Sequence, residues 1–313
     1  MRTAILSNVT LVDTLYPLVG DQFVYHGMHH NADLLLGKFF NPDRTPAELF
    51  LKRTHNARLA PLHRGQHFLV GGDSNNFWHF LYNFVLRLSL VCESPDRELR
   101  EDAKLVVNGD LPASFRPVFE ALGFDPARLV AVPRKSAERF EALTVAELPY
   151  FNQGGGKQLY ATPDALRFVR ERLPGAERRD RRIYVSRRDA RWRRVLNEAE
   201  LKPVLERRGV EIVELSKLSA GEIVTVMGEA ELVIGPSGAN LGALMFCRPG
   251  AKVIELSYAP FVEKYYFQGA SSMGGLEHYK LAGAPERTER DYTSWDFTVP
   301  PAELDELLTM VGF

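Results

Sequence analysis

The chain has little of what marks a secreted, membrane-spanning or nucleic-acid-binding protein. Its two cysteines, Cys92 and Cys247, lie far apart in apolar surroundings, which argues against a disulfide framework or a cysteine-built metal site and fits buried free thiols in a reducing compartment. No apolar run reaches the ~18 residues that mark a membrane-spanning helix. The first residues show no basic segment followed by an apolar stretch, so neither secretion nor membrane insertion is expected, and Asn8-Val9-Thr10 is read as a chance glycosylation sequon. The formal net charge of −1 gives no overall pull toward nucleic acid or membrane. Internal repeats and low-complexity tracts are absent as well.

What is present is an α/β pattern. At 313 residues the chain is long enough for two halves, by the prior of about 150 residues per domain. Short strand-like runs (Thr3 to Leu6, Gln22 to Tyr25, His67 to Val70) surround one expected helix near Asp43 to Leu51. His63 and His67 are four apart, but Gly65 between them and the strand pattern after them oppose a helical metal-ligand pair, and no metal is expected. From residue 102 to 150, strands alternate with helical patterns, which implies a largely parallel sheet. Asn152 to Lys157, with three consecutive glycines, is the best linker, so the halves are read as 1–155 and 156–313.

Three stretches carry chemistry. In the first, Gly71 and Gly72 close a strand, and the spacing predicts one helix with Phe77, Leu81, Phe84 and Leu88 as an apolar stripe. Asn76, His79, Asn83 and Arg87 make a second, polar stripe, which suits a site and a set of buried backbone caps equally well. His79 is the only group there able to take a proton near neutral pH.

The second stretch is the strand Arg182 to Ser186, which delivers Arg187, Arg188 and Asp189 at its C-terminal end, inside a run of nine arginines between 178 and 194. Acidic residues elsewhere offset that run, and only Trp192 could stack on a base, so nucleic acid is not the expected partner. One of the arginines, Arg187 by preference, is expected to bind phosphate at the strand end. The third stretch, Val233-Ile234-Gly235-Pro236-Ser237-Gly238-Ala239-Asn240-Leu241, reads as a buried strand entering a glycine turn and an apolar helix, an anion cradle. Around it follow a helix from 197 to 207, a strand at 210–213, a helix opened by the capping-box pair Ser219 and Glu222, a strand ending near Glu255, and a terminal amphipathic helix with Leu304, Leu307, Leu308 and Val311 inward.

Taken as a spaced series, Tyr184 to Asp189, Arg193 to Glu198, Gly235 to Leu241 and Pro249 to Glu255 resemble the C-terminal signature of glycosyltransferase family 61, and Asn76, His79 and Arg87 match the upstream helix of that family. The resemblance spans roughly residues 70 to 300. It implies a GT-B-like α/β architecture of two Rossmann-like domains with a central cleft. The first half would take the acceptor, the second would bind a nucleotide sugar, and the terminal helix would lean back on the first.

The resemblance further implies an inverting, metal-independent hexosyl- or pentosyltransferase of the capsule or surface-polysaccharide type. It would use no cofactor, take a nucleotide sugar, foremost a UDP-sugar, as donor, and act on a glycan or lipid-linked glycan in the cytoplasm or at the inner face of the membrane. Carried over by position, Arg187 would contact the donor diphosphate, the Ser237-Gly238-Ala239-Asn240 turn would cradle it, Glu255 or Asn197 would hold ribose or support the loop, and Asn76, Arg87 and Arg188 would line the cleft. Catalysis would fall to His79 and Asn83.

The family's turn commonly reads Gly-Pro-His-Gly-Ala-Gly, so Ser237 and Asn240 depart from it, and many members carry an aspartate where this chain has Asn83. An amide cannot accept the proton, which moves the base to His79 or points instead to a silent nucleotide-sugar or glycan binder. A further alternative is an α/β hydrolase, because Gly235 to Ala239 is nearly a nucleophile elbow and Ser237, Glu255 and His278 occur in triad order.

Overall fold

The computed structural model describes residues 3–12, 16–19, 22–23, 59–60, 62–71, 77, 80–109, 111–133, 136–146, 150–153, 158–172, 178–263, 266–289 and 291–313. The chain divides into two compact units, Met1–Tyr150 and Phe151–Phe313.

The first unit is built on a seven-stranded sheet of β1 (Thr3–Val12), β2 (Tyr16–Val19), β3 (Gln22–Phe23), β4 (Leu62–Gly71), β5 (Lys104–Asn108), β6 (Leu129–Val132) and β7 (Ala137–Ala146), in the order β3-β2-β1-β7-β4-β5-β6. β7, β4, β5 and β6 run parallel, and β1 turns antiparallel to β7 to begin a three-stranded antiparallel flank. The parallel strands show why: Phe68-Leu69-Val70 and Leu105-Val106-Val107 are consecutive buried residues, as strands covered on both faces require. The strands from 102 to 150 are parallel as expected, the antiparallel flank comes from the first residues of the chain, and β1 continues to Val12 where a strand ending at Leu6 was expected. The helix expected at 43–51 lies outside the described residues.

The segment after β4 departs from the regular helix that its spacing predicts. Phe80–Phe84 is a π-turn, Val85–Arg87 a 3-10 turn, and only Leu88–Cys92 (α1) is α-helical. Phe80, Leu81, Tyr82, Phe84, Val85, Leu86, Arg87 and Leu88 are all buried, so the described side chains of this segment belong to the core. Arg97–Glu101 (α2), capped by the Asp96 carboxylate, and Pro117–Ala121 (α3) follow.

The second unit holds a small hairpin sheet, β8 (Tyr150–Gln153) with β9 (Gln158–Ala161), then α4 (Pro163–Arg172) and a six-stranded sheet. The sheet strands and their helices follow as β10 (Arg181–Val185), α5 (Glu198–Arg207), β11 (Glu211–Val213), α6 (Ala220–Gly228), β12 (Ala230–Pro236), β13 (Lys252–Tyr258), α7 (Tyr266–Met273), β14 (Glu277–Pro285), β15 (Phe297–Thr298) and α8 (Pro301–Met310). The order is β11-β10-β12-β13-β14-β15, parallel except for β15.

Read from β10, this is the doubly wound 2-1-3-4-5 order. It reverses between β10 and β12, where such sheets open a crevice at the C-terminal strand ends. One face of the sheet (Tyr184, Leu232, Ile234, Ile254, Leu256, Tyr258) packs on Leu201 and Leu205 of α5 and Leu304 and Leu308 of α8. The alternate residues face the other way. α6 opens with the expected capping box, Ser219 and Glu222 exchanging hydrogen bonds. The helix expected after the glycine turn is instead a 3-10 helix, Ala239–Phe246.

Gly283 of β14 lies against the Thr298 carbonyl of β15, where a Cβ would collide with backbone. Gly283→Ala is expected to unpair β15 and to lower stability by about 2–4 kcal/mol, read as a lower urea midpoint with an unchanged slope.

Candidate functional site

The site is assembled at the C-terminal ends of β10, β12 and β13. Glu198, the first residue of α5, accepts hydrogen bonds from Ser186 Oγ at 2.8 and 2.9 Å and from Tyr184 OH at 3.2 Å, tying the helix start to the end of β10. Burial, then the neighbouring Glu198 charge, pushes the Tyr184 phenol well above its usual range, so it remains a donor. The loop between Ser186 and Glu198 is fixed at two further points. Asp296 accepts from the Arg194 backbone N–H at 2.8 Å and its guanidinium at 2.6 and 3.0 Å. Asn197 donates to the Val299 carbonyl at 2.8 Å and accepts from the Val299 N–H at 2.9 Å.

That loop presents Arg187, only 6% exposed. NH1 donates to Asn240 Oδ1 at 2.6 Å and NH2 to the Trp192 carbonyl at 3.1 Å, while Nε has no partner. Both acceptors are neutral. No carboxylate among the described residues forms an ion pair with this guanidinium. Burial first, and then the nearby Arg193, bring it down to about 10, against the weaker pull of Asp189 and Asp296. A buried cation without a counter-charge is costly unless an anion joins it.

Gly238 provides the surface on which the guanidinium lies: a Cβ there would fall 2.5 Å from Arg187 Cζ and 2.9 Å from Nε. Its φ of 173° is ordinary extended backbone, so the requirement for glycine is close approach and not handedness. Beside it, the Ser237 N–H donates to the Leu256 carbonyl at 2.8 Å, and the buried Ser237 Oγ has no partner. Ala239 and Asn240 begin the 3-10 helix, so the turn from 237 to 240 stands against Arg187 as one piece.

The other expected residues fall differently. Glu255, 1% exposed, accepts on Oε2 from His278 Nε2 at 3.0 Å, with Lys280 Nζ at 3.7 Å, and His278 Nδ1 meets Ser271 Oγ at 2.9 Å. Burial lowers the Lys280 ammonium, and the Glu255 charge opposes that shift. His278 is thus held by Glu255 and Ser271, and the Ser237–His278 pairing that a hydrolase needs is not formed.

Asn197 spends its amide on the Val299 backbone and on Glu200, to which Nδ2 also donates at 3.2 Å, bonds that support the loop. Arg188 is exposed and paired with Glu214. Arg87 is fully buried. Asn76 and His79, and the Asn83 side chain, lie outside the described residues. Of the nine arginines, Arg178, Arg181, Arg182, Arg188 and Arg194 form ion pairs with Asp or Glu, which dissolves the apparent basic patch. Cys92 and Cys247 are both free thiols, and burial pushes Cys247 up to about 12. Among the described residues no His/Cys/Asp/Glu cluster is placed to hold a metal ion, and no helix is long and apolar enough to cross a membrane.

Sequence reasoning missed Glu198 and Asp296. Their signal is a capable acid beside a strand end or loop, and their partners became visible only in three dimensions.

The second unit is a doubly wound α/β sheet that carries, at its topological switch point, a buried guanidinium paired with no carboxylate among the described residues. The sequence profile of glycosyltransferase 61 matches residues 77–254, more than half the chain and all of the β10 and β12 strand ends, and the chain belongs to that family. It is accordingly a glycosyltransferase, with a sugar donor and a glycan acceptor as its substrates. No curated protein matches the chain.

Two substitutions separate framework from site. Asn197→Ala is expected to cost about 1–3 kcal/mol of stability through the two orphaned Val299 groups while leaving nucleotide affinity unchanged. Gly238→Ala should displace Arg187 and weaken nucleotide binding at least about tenfold with a smaller change in melting temperature. Calorimetric titration beside thermal unfolding checks both.

Proposed function

We propose that the protein is an inverting, GT-B-type transferase that moves a hexosyl or pentosyl group from a nucleotide sugar, foremost a UDP-sugar, to a glycan or lipid-linked glycan. The acceptor belongs to a bacterial capsule or other surface polysaccharide, and the reaction takes place in the cytoplasm or at the inner face of the membrane. In this reading the first unit serves the acceptor and the second the donor. The observation that carries it is the buried, uncompensated Arg187 with its free Nε, laid on Gly238 at the switch point. A diphosphate supplies the missing negative charge.

The acceptor hydroxyl oxygen attacks the anomeric carbon from the face opposite the diphosphate. The bond from that carbon to the phosphate oxygen breaks, and its electron pair stays on the diphosphate. Arg187 and the Ser237-Gly238-Ala239-Asn240 turn stabilise this leaving group, fixed in place before the reaction begins. Glu255 keeps its own position through His278 and Lys280 and stands on the ribose side, and Asn197 holds the loop. His79 takes the proton of the hydroxyl, since Asn83 cannot.

A thermal-shift screen with UDP-, GDP-, CMP- and dTDP-sugars should find at least one that raises the melting temperature by mass action, and Arg187→Ala should remove that shift. An unchanged shift in Arg187→Ala overturns the anion-site assignment. His79→Ala is expected to lower the rate of transfer by about 10²- to 10⁴-fold with donor affinity retained. A fully active His79→Ala protein overturns the base assignment, and a wild-type chain that binds donor without transferring to any of a broad acceptor panel makes it a silent binder.

A further inference from the structure

The register of the second sheet extends the Arg187 site farther than its family-like residues reach. β12 pairs with β13 as Gly235 with Glu255 and Pro236 with Leu256, and the Ser237 N–H still donates to the Leu256 carbonyl, so the next step brings Ser237 beside Ser257. On the other side Tyr184 pairs with Ile234, Val185 Cβ lies 3.3 Å from where a Gly235 Cβ would stand, and past the strand end the Arg187 guanidinium rests on Gly238, next to Ser237. In β12 and β13 the odd-numbered residues face away from the α5–α8 side of the sheet. Arg187, Ser237 and Ser257 therefore form one row across three adjacent strand ends.

Each member of the row is more than nine-tenths buried, and each carries a polar atom with no hydrogen-bond partner: Arg187 Nε, Ser237 Oγ and Ser257 Oγ. Orphaned buried groups are rare, and three in register call for a common explanation. Beyond Ser257 the row meets Ala282 of β14, which is small and exposed.

We propose that Ser257 is a substrate-contacting residue and that the row Arg187–Ser237–Ser257 selects a nucleoside diphosphate group over a nucleoside monophosphate. The inference rests on the donor reading of Arg187. Neighbouring strands are about 4.8 Å apart, so the row is about 10 Å long. A single phosphate meets one strand end and its neighbour. Two linked phosphates present oxygens along the row, accepting from the Arg187 guanidinium at one end and from the Ser257 hydroxyl at the other.

The test is calorimetry on the full chain with UMP and UDP, GMP and GDP, and inorganic phosphate and pyrophosphate, using wild type, Arg187→Ala and Ser257→Ala. Wild type should bind a diphosphate at least about tenfold more tightly than the matching monophosphate. Ser257→Ala should lose about tenfold on the diphosphate and under about twofold on the monophosphate. Its ligand-free melting temperature should stay equal or rise, because an unsatisfied hydroxyl has gone, a change opposite in sign to that of a structural defect.

Equal affinity for mono- and diphosphate in the wild type, or an unaltered diphosphate affinity in Ser257→Ala, overturns the assignment. If Arg187→Ala loses both ligands while Ser257→Ala loses neither, the donor site stands and Ser257 falls. If Arg187→Ala binds as wild type does, or if no diphosphate in the panel binds the wild type, both readings fall.

Discussion

The constraint on which this protein turns is the placement of a permanent positive charge inside the molecule without a negative one to meet it. Arg187 could have been neutralised easily, since Asp189 is two residues away and Asp296 holds a neighbouring arginine. Instead its two terminal nitrogens are held by neutral oxygens, and the third nitrogen is left open. Neutral holders fix the direction of a guanidinium while leaving its charge available to a ligand. The absence of a side chain at Gly238 brings the backbone flat against the charge, and the sheet order supplies the location.

Holding such a group still requires a rigid support. The loop carrying Arg187 is fastened by Glu198 at its beginning and end, by Asp296 near its middle and by Asn197 to the strand-and-helix segment that closes the unit. Several of these bonds join residues about a hundred positions apart in the chain. The terminal part of the second unit is therefore part of the device that positions the charge. Asn240 deserves the same description: where the family commonly has glycine, this chain has an amide whose oxygen holds Arg187.

How far the sequence could be read follows from the range of each interaction. The doubly wound second half was legible because its strands are short apolar runs and its helices carry local signals such as Ser219 and Glu222, which act over three residues. That Arg187 and the turn through Ser237 and Gly238 would lie together was legible because a strand-end arginine and a glycine turn on the neighbouring strand meet at one edge of a parallel sheet. The partners of Asn197 and Glu255 were not, since an amide or a carboxylate looks the same in sequence whether it faces a ligand, Val299 or His278. The segment 80–92 misled for another reason: residues spaced by four average out a wide turn followed by a tight one, so a regular period was read where the backbone changes pitch twice. Ser257 passed unnoticed because only strand register sets it beside Ser237.

The strand orders also bear on how the protein behaves among its own copies. Among the described residues the outermost strands of the two large sheets are β3 and β6 in one and β11 and β15 in the other, and none exceeds four residues. Unpaired edges this short offer few consecutive backbone groups to a second chain. β11 adds charge along its border through Glu211 and its bond to Arg181. Short margins of this kind leave little bare backbone for a second chain to extend, so the pairing surface of each sheet is confined to its long central strands.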